Sequence, residues 1–222
     1  AAPTVAAFHR APEGEGRRIG VVATPCQALA LAKIRTAKID GYDKGKTLSL
    51  VIGLFCGWTL ALEPFQNLLE TYQLSAANLT GMDIPAGKNI LELHTAEGPV
   101  NVPMAEVDAC VREACRYCVD STAEFADLSV GAARYGRNSG EMQNWNQVIV
   151  RSETGKKLVS LARSRGILEF RETPQEALHE LKNAAAEKKK KALARIIAKS
   201  RSPQNLLYLN PGDTVVKKYL KT

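Results

Sequence analysis

The chain has 222 residues, of which 45% are hydrophobic and 24% charged, and a formal net charge of +7. This composition excludes whole-chain disorder and collagen-like or low-complexity architectures, and it allows one large domain or two small ones. No apolar run reaches the ~18 residues of a membrane span; the longest, Leu48–Phe55, is strand-length.

The opening residues, AAPTVAAFHRAPEGEG, lack the hydrophobic segment of a targeting peptide and are expected to be a linker or the ragged start of a fragment. Arg17–Ala23 reads as a buried strand, β-branched at Ile19, Val21 and Val22, ending at Thr24-Pro25-Cys26. Gln27–Lys38 follows as an alanine- and leucine-rich helix, Gly41–Lys46 as a polar turn, and Leu48–Phe55 as a second buried strand ending at Cys56-Gly57. A strand–helix–strand unit of this length predicts parallel pairing with a right-handed crossover. The C-terminal ends of parallel strands share the sheet edge where ligands bind, so topology brings Cys26 and Cys56 together. Further elements are a helix over Glu63–Tyr72 and a hairpin of Asn89–His94 and Pro99–Met104 around Ala96-Glu97-Gly98. Ala105–Cys118 is expected on short helix or turn. Asp127–Val130 is a short strand before a glycine-rich loop, Gly131–Gly140. Asn146–Arg151 is a strand, Gly155–Arg165 a helix, and Ile167–Phe170 a final short strand. This order predicts an α/β fold, with α+β as the alternative: a mixed sheet with a parallel strand–helix–strand unit and flanking helices.

The charge is unevenly placed. After Thr173 there are 11 Lys and Arg against 4 Asp and Glu, whereas the first 173 residues hold 19 of each. The tail predicts a basic C-terminal helix from Pro174 to about Lys199, with Thr173 as N-cap. Ala177, Leu178, Leu181 and Ala185 form one apolar stripe, which Leu193, Ile196 and Ile197 resume. Lys188–Lys191 reads as a solvated helix face; the alternatives are a docking surface for an acidic partner or contact with an anionic cofactor tail. Aromatic residues are not interleaved with these lysines, which argues against single-stranded nucleic acid, and no nucleic-acid partner is expected.

The five cysteines are Cys26, Cys56, Cys110, Cys115 and Cys118. An odd number, no secretory signal and ordinary apolar content do not suit a disulfide scaffold, and a cytoplasmic chain is expected. Cys115-Arg116-Tyr117-Cys118 is a CxxC. A structural zinc site usually takes two such pairs, and no second pair is present. A thioredoxin-like dithiol would follow an early strand, whereas this CxxC is mid-chain. Two strand-end cysteines and one CxxC match the four thiolates of a cubane [4Fe–4S] cluster. Spacing alone leaves an iron–sulfur cluster, a zinc site and unligated or redox thiols open. Cys110 is the surplus, expected as a buried apolar cysteine, or else as a substitute for another ligand. Thr24, Gln27 and Gly57 flank these cysteines and could donate hydrogen bonds to sulfur. Arg112, Arg116, Arg134, Arg137 and Arg151 gather positive charge near the cysteine and glycine motifs, or are ordinary surface arginines. Gly131, Gly136 and Gly140 would allow close backbone approach to a phosphate or ring. Asp120 is expected to cap a helix, with Ser121-x-x-Glu124 as a capping box, and Trp58 and Trp145 to pack.

Several motifs in order are more specific than any one of them. Thr24-Pro25-Cys26-Gln27, Gly53-Leu54-Phe55-Cys56 and Cys115-Arg116-Tyr117-Cys118-Val119-Asp120 are followed by Ala126-Asp127-Leu128-Ser129-Val130-Gly131 and by Val148-Ile149-Val150-Arg151-Ser152-Glu153-Thr154-Gly155. Together, from about Ile19 to Phe170, they resemble the beta subunits of coenzyme F420-reducing hydrogenase and F420-dependent formate dehydrogenase. The resemblance implies an oxidoreductase subunit, an iron–sulfur flavoprotein that exchanges electrons between the deazaflavin coenzyme F420, FAD and a [4Fe–4S] cluster. It implies Cys26, Cys56, Cys115 and Cys118 as cluster ligands. It implies Ser129, Gly131, Gln147 and Arg151 as part of the flavin-binding region. It implies partners among the other subunits of a hydrogenase, formate dehydrogenase or heterodisulfide reductase complex. Residues 17–173 are then the iron–sulfur flavoprotein domain, 174–222 a basic helix and tail, and 1–16 a linker or fragment start; nothing before Ile19 resembles the further N-terminal stretch that members typically carry. Two rival readings are a zinc-stabilised basic module for nucleic acid and a cofactor-poor structural adaptor.

Overall fold

The computed structural model describes residues 3–12, 16–37, 44–85, 87–133 and 145–220. In chain order the elements are α1 (Thr4–Arg10), β1 (Ile19–Ala23), α2 (Pro25–Thr36), α3 (Lys44–Thr47), β2 (Leu48–Leu54), α4 (Leu62–Thr71), β3 (Leu79–Asp83), β4 (Ile90–Thr95) and β5 (Gly98–Pro103). They continue with α5 (Met104–Ala109), α6 (Glu113–Arg116), β6 (Leu128–Ala132), β7 (Asn146–Val150), α7 (Glu153–Ser164), α8 (Gln175–Ser200) and α9 (Thr214–Leu220). One sheet has the order β1-β2-β6-β7 and the other β3-β4-β5. In the first, β1 and β6 each pair with β2 in parallel and β7 closes the edge antiparallel to β6. The expected mixed sheet with its parallel strand–helix–strand unit is therefore present, and Ala23 stands opposite Gly53 at the C-terminal edge.

Among the described residues, two of three apolar clusters are built on the sheets. Val21, Ala23 and Val51 on one face of the larger sheet pack with Ala28 and Leu31 of α2 and with Phe8 of α1. Within the segment expected to be a linker, α1 thus forms and buries Phe8, and the Lys44 ammonium donates to the carbonyls of His9 and Ala11, both at 2.6 Å. The second core joins Leu91, Leu93 and Val102 of the antiparallel sheet to Leu68 and Leu69 of α4 and Val107 of α5.

Several expectations shift. α2 begins at Pro25, not Gln27, so Cys26 lies in its first turn. The Gln27 side chain reaches back to accept from the Thr24 amide at 3.0 Å, closing a capping box. β3 was not expected; it pairs antiparallel to β4. The strand expected at Ile167–Phe170 does not form. Gly166, at φ +62, follows the C-cap of α7; its amide donates to Arg163 O and that of Ile167 to Ala162 O. That is a Schellman ending, which leaves Ile167 66% exposed. No helix starts at Ser121. The Asp120 carboxylate accepts from the amides of Thr122 (2.9 Å) and Glu124 (2.8 Å), capping a turn rather than a helix. β6 runs through Gly131 and Ala132, where the glycine-rich loop was expected to begin; Arg134, Gly136, Arg137 and Gly140 lie outside the described residues. α8 starts at Gln175 with Pro174, not Thr173, at its N-cap. Among the described residues no helix is long and apolar enough to cross a membrane.

Candidate functional site

Three chain segments meet at the C-terminal edge of β1 and β2. Cys26 sits one residue into α2, directly after β1, and Cys56 two residues after β2. Cys115 is in α6 and Cys118 follows its C-cap, Tyr117. Backbone bonds stitch the segments together: Cys56 N donates to Ser121 O (2.8 Å), Arg112 N to Thr59 O (3.0 Å) and Ala61 N to Cys110 O (2.8 Å), with a β-bridge between Leu60 and Val111. These bonds bring the segment of Cys56 beside that of the CxxC. Cys110 faces the other way. It is 4% exposed within the antiparallel-sheet core, and its thiol donates to Pro64 O at 3.3 Å.

Two of the remaining thiols, Cys56 and Cys118, have their pKa raised. Burial pushes the Cys56 pKa up, the Lys188 charge pulls it down, and Cys115, Cys26 and Cys118 each push it up again. At Cys118, burial again raises the pKa, against a backbone hydrogen bond and Lys188, and Cys26 is among its neighbours. Cys110 is raised by burial alone. The sulfurs also have polar neighbours. Thr59 donates its amide to Cys115 Sγ at 3.4 Å and its hydroxyl lies at the same distance, while the Thr24 hydroxyl lies 3.4 Å from Cys26 Sγ. Of the three flanking residues expected to donate to sulfur, Thr24 has its hydroxyl near Cys26 but donates it to Gln27 Oε1 at 3.0 Å; Gln27 caps α2 and Gly57 offers its carbonyl to Lys188. Among the described residues no three His, Cys, Asp or Glu side chains lie close enough to share one metal ion.

The C-terminal helix closes the site. Lys188 Nζ donates to Cys56 O at 2.8 Å and Gly57 O at 2.7 Å. Lys189, 8% exposed, donates to Val119 O at 3.2 Å and pairs with Glu124. The reading of Lys188–Lys191 as a solvated face is therefore corrected: two of the four turn inward, because α8 packs Leu193 and Ile196 against Tyr117 and Val119. Tyr208 donates to Tyr117 O at 2.9 Å and accepts from the Val119 amide at 3.2 Å, and burial pushes its phenol up to about 12. Lys188, Lys189, Tyr208 and Thr59 carry no motif of their own; only tertiary packing brings them here.

Two cavities open on the thiols. One, of about 470 Å³, is lined by Cys26, Leu29, Cys118, Phe125, Leu193 and Tyr208. The other, of about 440 Å³, is lined by Trp58, Cys115, Cys118, Lys188, Lys191 and Arg195. Cys118 stands between them.

The residues expected at the flavin lie on β6 and β7. Ser129 stands opposite Ile149 and Gly131 opposite Gln147. Ser129 is fully buried; its hydroxyl donates to Ala123 O (3.0 Å) and accepts from Arg151 Nε (2.6 Å). Arg151 Nη2 donates to Thr122 O (3.1 Å) and Thr122 Oγ1 (2.8 Å). This pair braces the turn that follows Cys118. A Cβ on Gly131 would stand 2.0 Å from the Phe55 ring, so Phe55 occupies the space beside it. Arg116 pairs with Asp108 at 3.1 Å, and Arg171 lies over the Trp145 ring at 4.3 Å.

Residues 16–176 match the family model that describes the C terminus of the coenzyme F420 hydrogenase/dehydrogenase beta subunit. The chain is 32% identical over 200 residues to the F subunit of the F(420)H(2) dehydrogenase of Methanosarcina mazei, covering 86% of this chain and 51% of that one. It is 27% identical over 201 residues to the coenzyme F420 hydrogenase beta subunit of Methanothermobacter thermautotrophicus, covering 89% of this chain and 69% of that one. The chain thus spans about half the length of the first relative. A chain of the F420-reducing [NiFe] hydrogenase complex from Methanosarcina barkeri shares the fold, with a TM-score of 0.77 at 23% identity over 89% of this chain and 67% of that one.

Proposed function

The chain belongs to the family of coenzyme F420 hydrogenase/dehydrogenase beta subunits, and from that premise we propose that it is an electron-transfer oxidoreductase subunit that holds a [4Fe–4S] cluster on Cys26, Cys56, Cys115 and Cys118. The observation that supports this reading is that backbone bonds and two cavities lined by Cys26 with Cys118 and by Cys115 with Cys118 join the three segments that carry these cysteines, with the fifth turned into an apolar core. The donor set fits a cubane in kind and number: four thiolates are what such a cluster takes, one for each iron. The Thr59 amide supplies a hydrogen-bond donor at Cys115, which stabilises thiolate sulfur. Lys188 supplies a cation at Cys56 and Cys118, offsetting the charge that burial penalises.

When bound, FAD and a cubane would convert the hydride exchange of a deazaflavin into single-electron steps. The chain's own residues hold and shield. The Ser129–Arg151 pair fixes the turn between Cys118 and β6. Ser129, Gly131, Gln147 and Arg151 would belong to the flavin region only as its frame: Ser129 and Arg151 bond to each other and to the turn at Thr122, and Phe55 fills the space beside Gly131. The partner is another subunit of a hydrogenase, formate dehydrogenase or heterodisulfide reductase complex.

The test is anaerobic purification followed by iron, sulfide, zinc and flavin analysis. About four iron and four sulfide per chain, with visible absorption that bleaches on reduction, are expected. One zinc per chain and no colour would overturn the reading.

A further inference from the structure

The C-terminal helix and tail lie almost wholly beyond residues 16–176, the part that matches the family model. Yet three side chains from this segment make their hydrogen bonds to the backbone beside candidate cluster ligands. Lys188 takes two consecutive carbonyls, Cys56 O and Gly57 O, onto one ammonium, where the chain bends at Gly57. Lys189 holds Val119 O, and Tyr208 holds both Tyr117 O and the Val119 amide, so Cys118 is gripped on either side. The apolar contacts of Leu193, Ile196 and Leu206 with Tyr117 and Val119 keep these polar groups in place.

We infer that Lys188, Lys189 and Tyr208 are positioning residues for the four-cysteine site, and that the C-terminal segment sets the geometry and charge of the cluster this chain holds. The inference deepens the proposed cluster function and rests on it for the charge effect. Its geometric part stands on the hydrogen bonds alone. Each lysine bond is charge-assisted and roughly twice as strong as a neutral one. Bound to carbonyls on both sides of a bend, Lys188 restrains the backbone direction from which the Cys56 side chain departs. A fixed cation beside an anionic cluster favours the form with one more electron, so Lys188 raises the reduction potential.

The experiment uses the full chain, purified without oxygen, as wild type and as Lys188→Met, Lys188→Arg, Lys189→Met and Tyr208→Phe. Two readouts are taken on each: amide hydrogen exchange resolved by residue, and the midpoint potential of the reconstituted cluster by optical titration. Lys188→Met is expected to speed exchange of the Cys56 and Thr59 amides about tenfold, from loss of a charged hydrogen bond, and to leave the β4–β5 hairpin unchanged. Lys189→Met and Tyr208→Phe are expected to do the same at the Val119 amide. Lys188→Met should lower the midpoint potential at unchanged iron content, and Lys188→Arg should keep most of it. Exchange at these amides equal to wild type, or acceleration equally strong in the hairpin, would overturn the positioning role. An unchanged potential in Lys188→Met would overturn the charge role. Wild-type protein that loads no iron would defeat the cluster reading instead, while the exchange measurement still decides the positioning role. If Lys188→Met does not fold, Tyr208→Phe carries the same test at Val119.

Discussion

The Thr59 amide donates to Cys115 Sγ at 3.4 Å, across 56 positions of the chain, and the Thr59 hydroxyl lies at the same distance from that sulfur. This contact joins the loop after β2 to the CxxC. Thr59→Val keeps the amide and the β-branched shape and removes only the hydroxyl. Loss of one hydrogen bond to a ligand sulfur disfavours the reduced, more negative form. The midpoint potential of a cluster on Cys115 should fall, by at most about 40 mV, the whole of one neutral hydrogen bond of ~1 kcal/mol read on a one-electron couple. Optical redox titration checks it, and thermal unfolding should stay near wild type.

The five cysteines separate by surroundings, and substitution should separate them too. Cys115→Ser removes a thiolate from the shared site and should leave iron well below the wild-type level in anaerobic reconstitution. Cys110→Ser alters a side chain buried among Leu69, Leu91 and Val107. It should spare iron loading and cost about 1–2 kcal/mol of stability, as a polar group replaces a nearly apolar one in the core. Iron analysis beside urea unfolding distinguishes the two. Loss of iron in Cys110→Ser would place a ligand at the wrong cysteine.

The shared edge of Cys26 and Cys56 was legible because local rules determine that geometry. Parallel strands must end on one edge, so Cys26 and Cys56 could be placed together from β1, α2 and β2 alone. The lysines of α8 were not legible. Helical periodicity puts Lys188 and Lys189 on a helix, but whether an ammonium finds water or a carbonyl 132 positions away depends on how that helix packs. The apolar run Ile167–Phe170 has strand composition, yet Gly166 lets the preceding helix finish in a Schellman turn and no sheet edge receives it. β3 was missed because Gly81 and Asp83 have poor strand propensity, and its pairing with β4 outweighs that preference.

Gly131 was expected to let a cofactor approach the backbone, but Phe55 fills the space beside it. A Cβ there would lie 2.0 Å from Phe55 Cδ2 and 2.6 Å from Phe55 Cβ. The clash includes the ring's root, so rotation of the ring alone does not relieve it. Gly131→Ala should destabilise the fold by about 1–3 kcal/mol through overpacking. In the Gly131→Ala/Phe55→Ala pair, the added methyl should cost far less than it does beside Phe55. Urea unfolding of the four members of this cycle measures the coupling; additive effects would mean that the two positions do not share this space.

Asp127 ties the sheet to two helices. Its Oδ2 accepts from the Val51 amide at 2.8 Å and from Arg35 at 3.1 Å, and its Oδ1 accepts from Ser152 Oγ at 2.6 Å. Ser152 in turn caps α7 by accepting from the Gly155 amide at 3.2 Å. Burial opposes the carboxylate's charge, but Ser152, Arg35 and the Val51 amide together hold its pKa below the ordinary aspartate value. A depressed pKa means that this contribution is complete above the unfolded-state value, about 3.9, and is lost as pH falls through the lower folded value. Asp127→Asn keeps the shape and removes the charge. At neutral pH it should lower stability by about 2 kcal/mol, the scale of a buried hydrogen bond to a charged group. Its stability should then change less than that of the wild type between pH 5 and pH 3, a window that spans the ordinary aspartate pKa of about 3.9. Urea unfolding of both proteins across that range tests the sign. Parallel stability curves would mean that the Asp127 charge contributes nothing to the acid sensitivity of the fold.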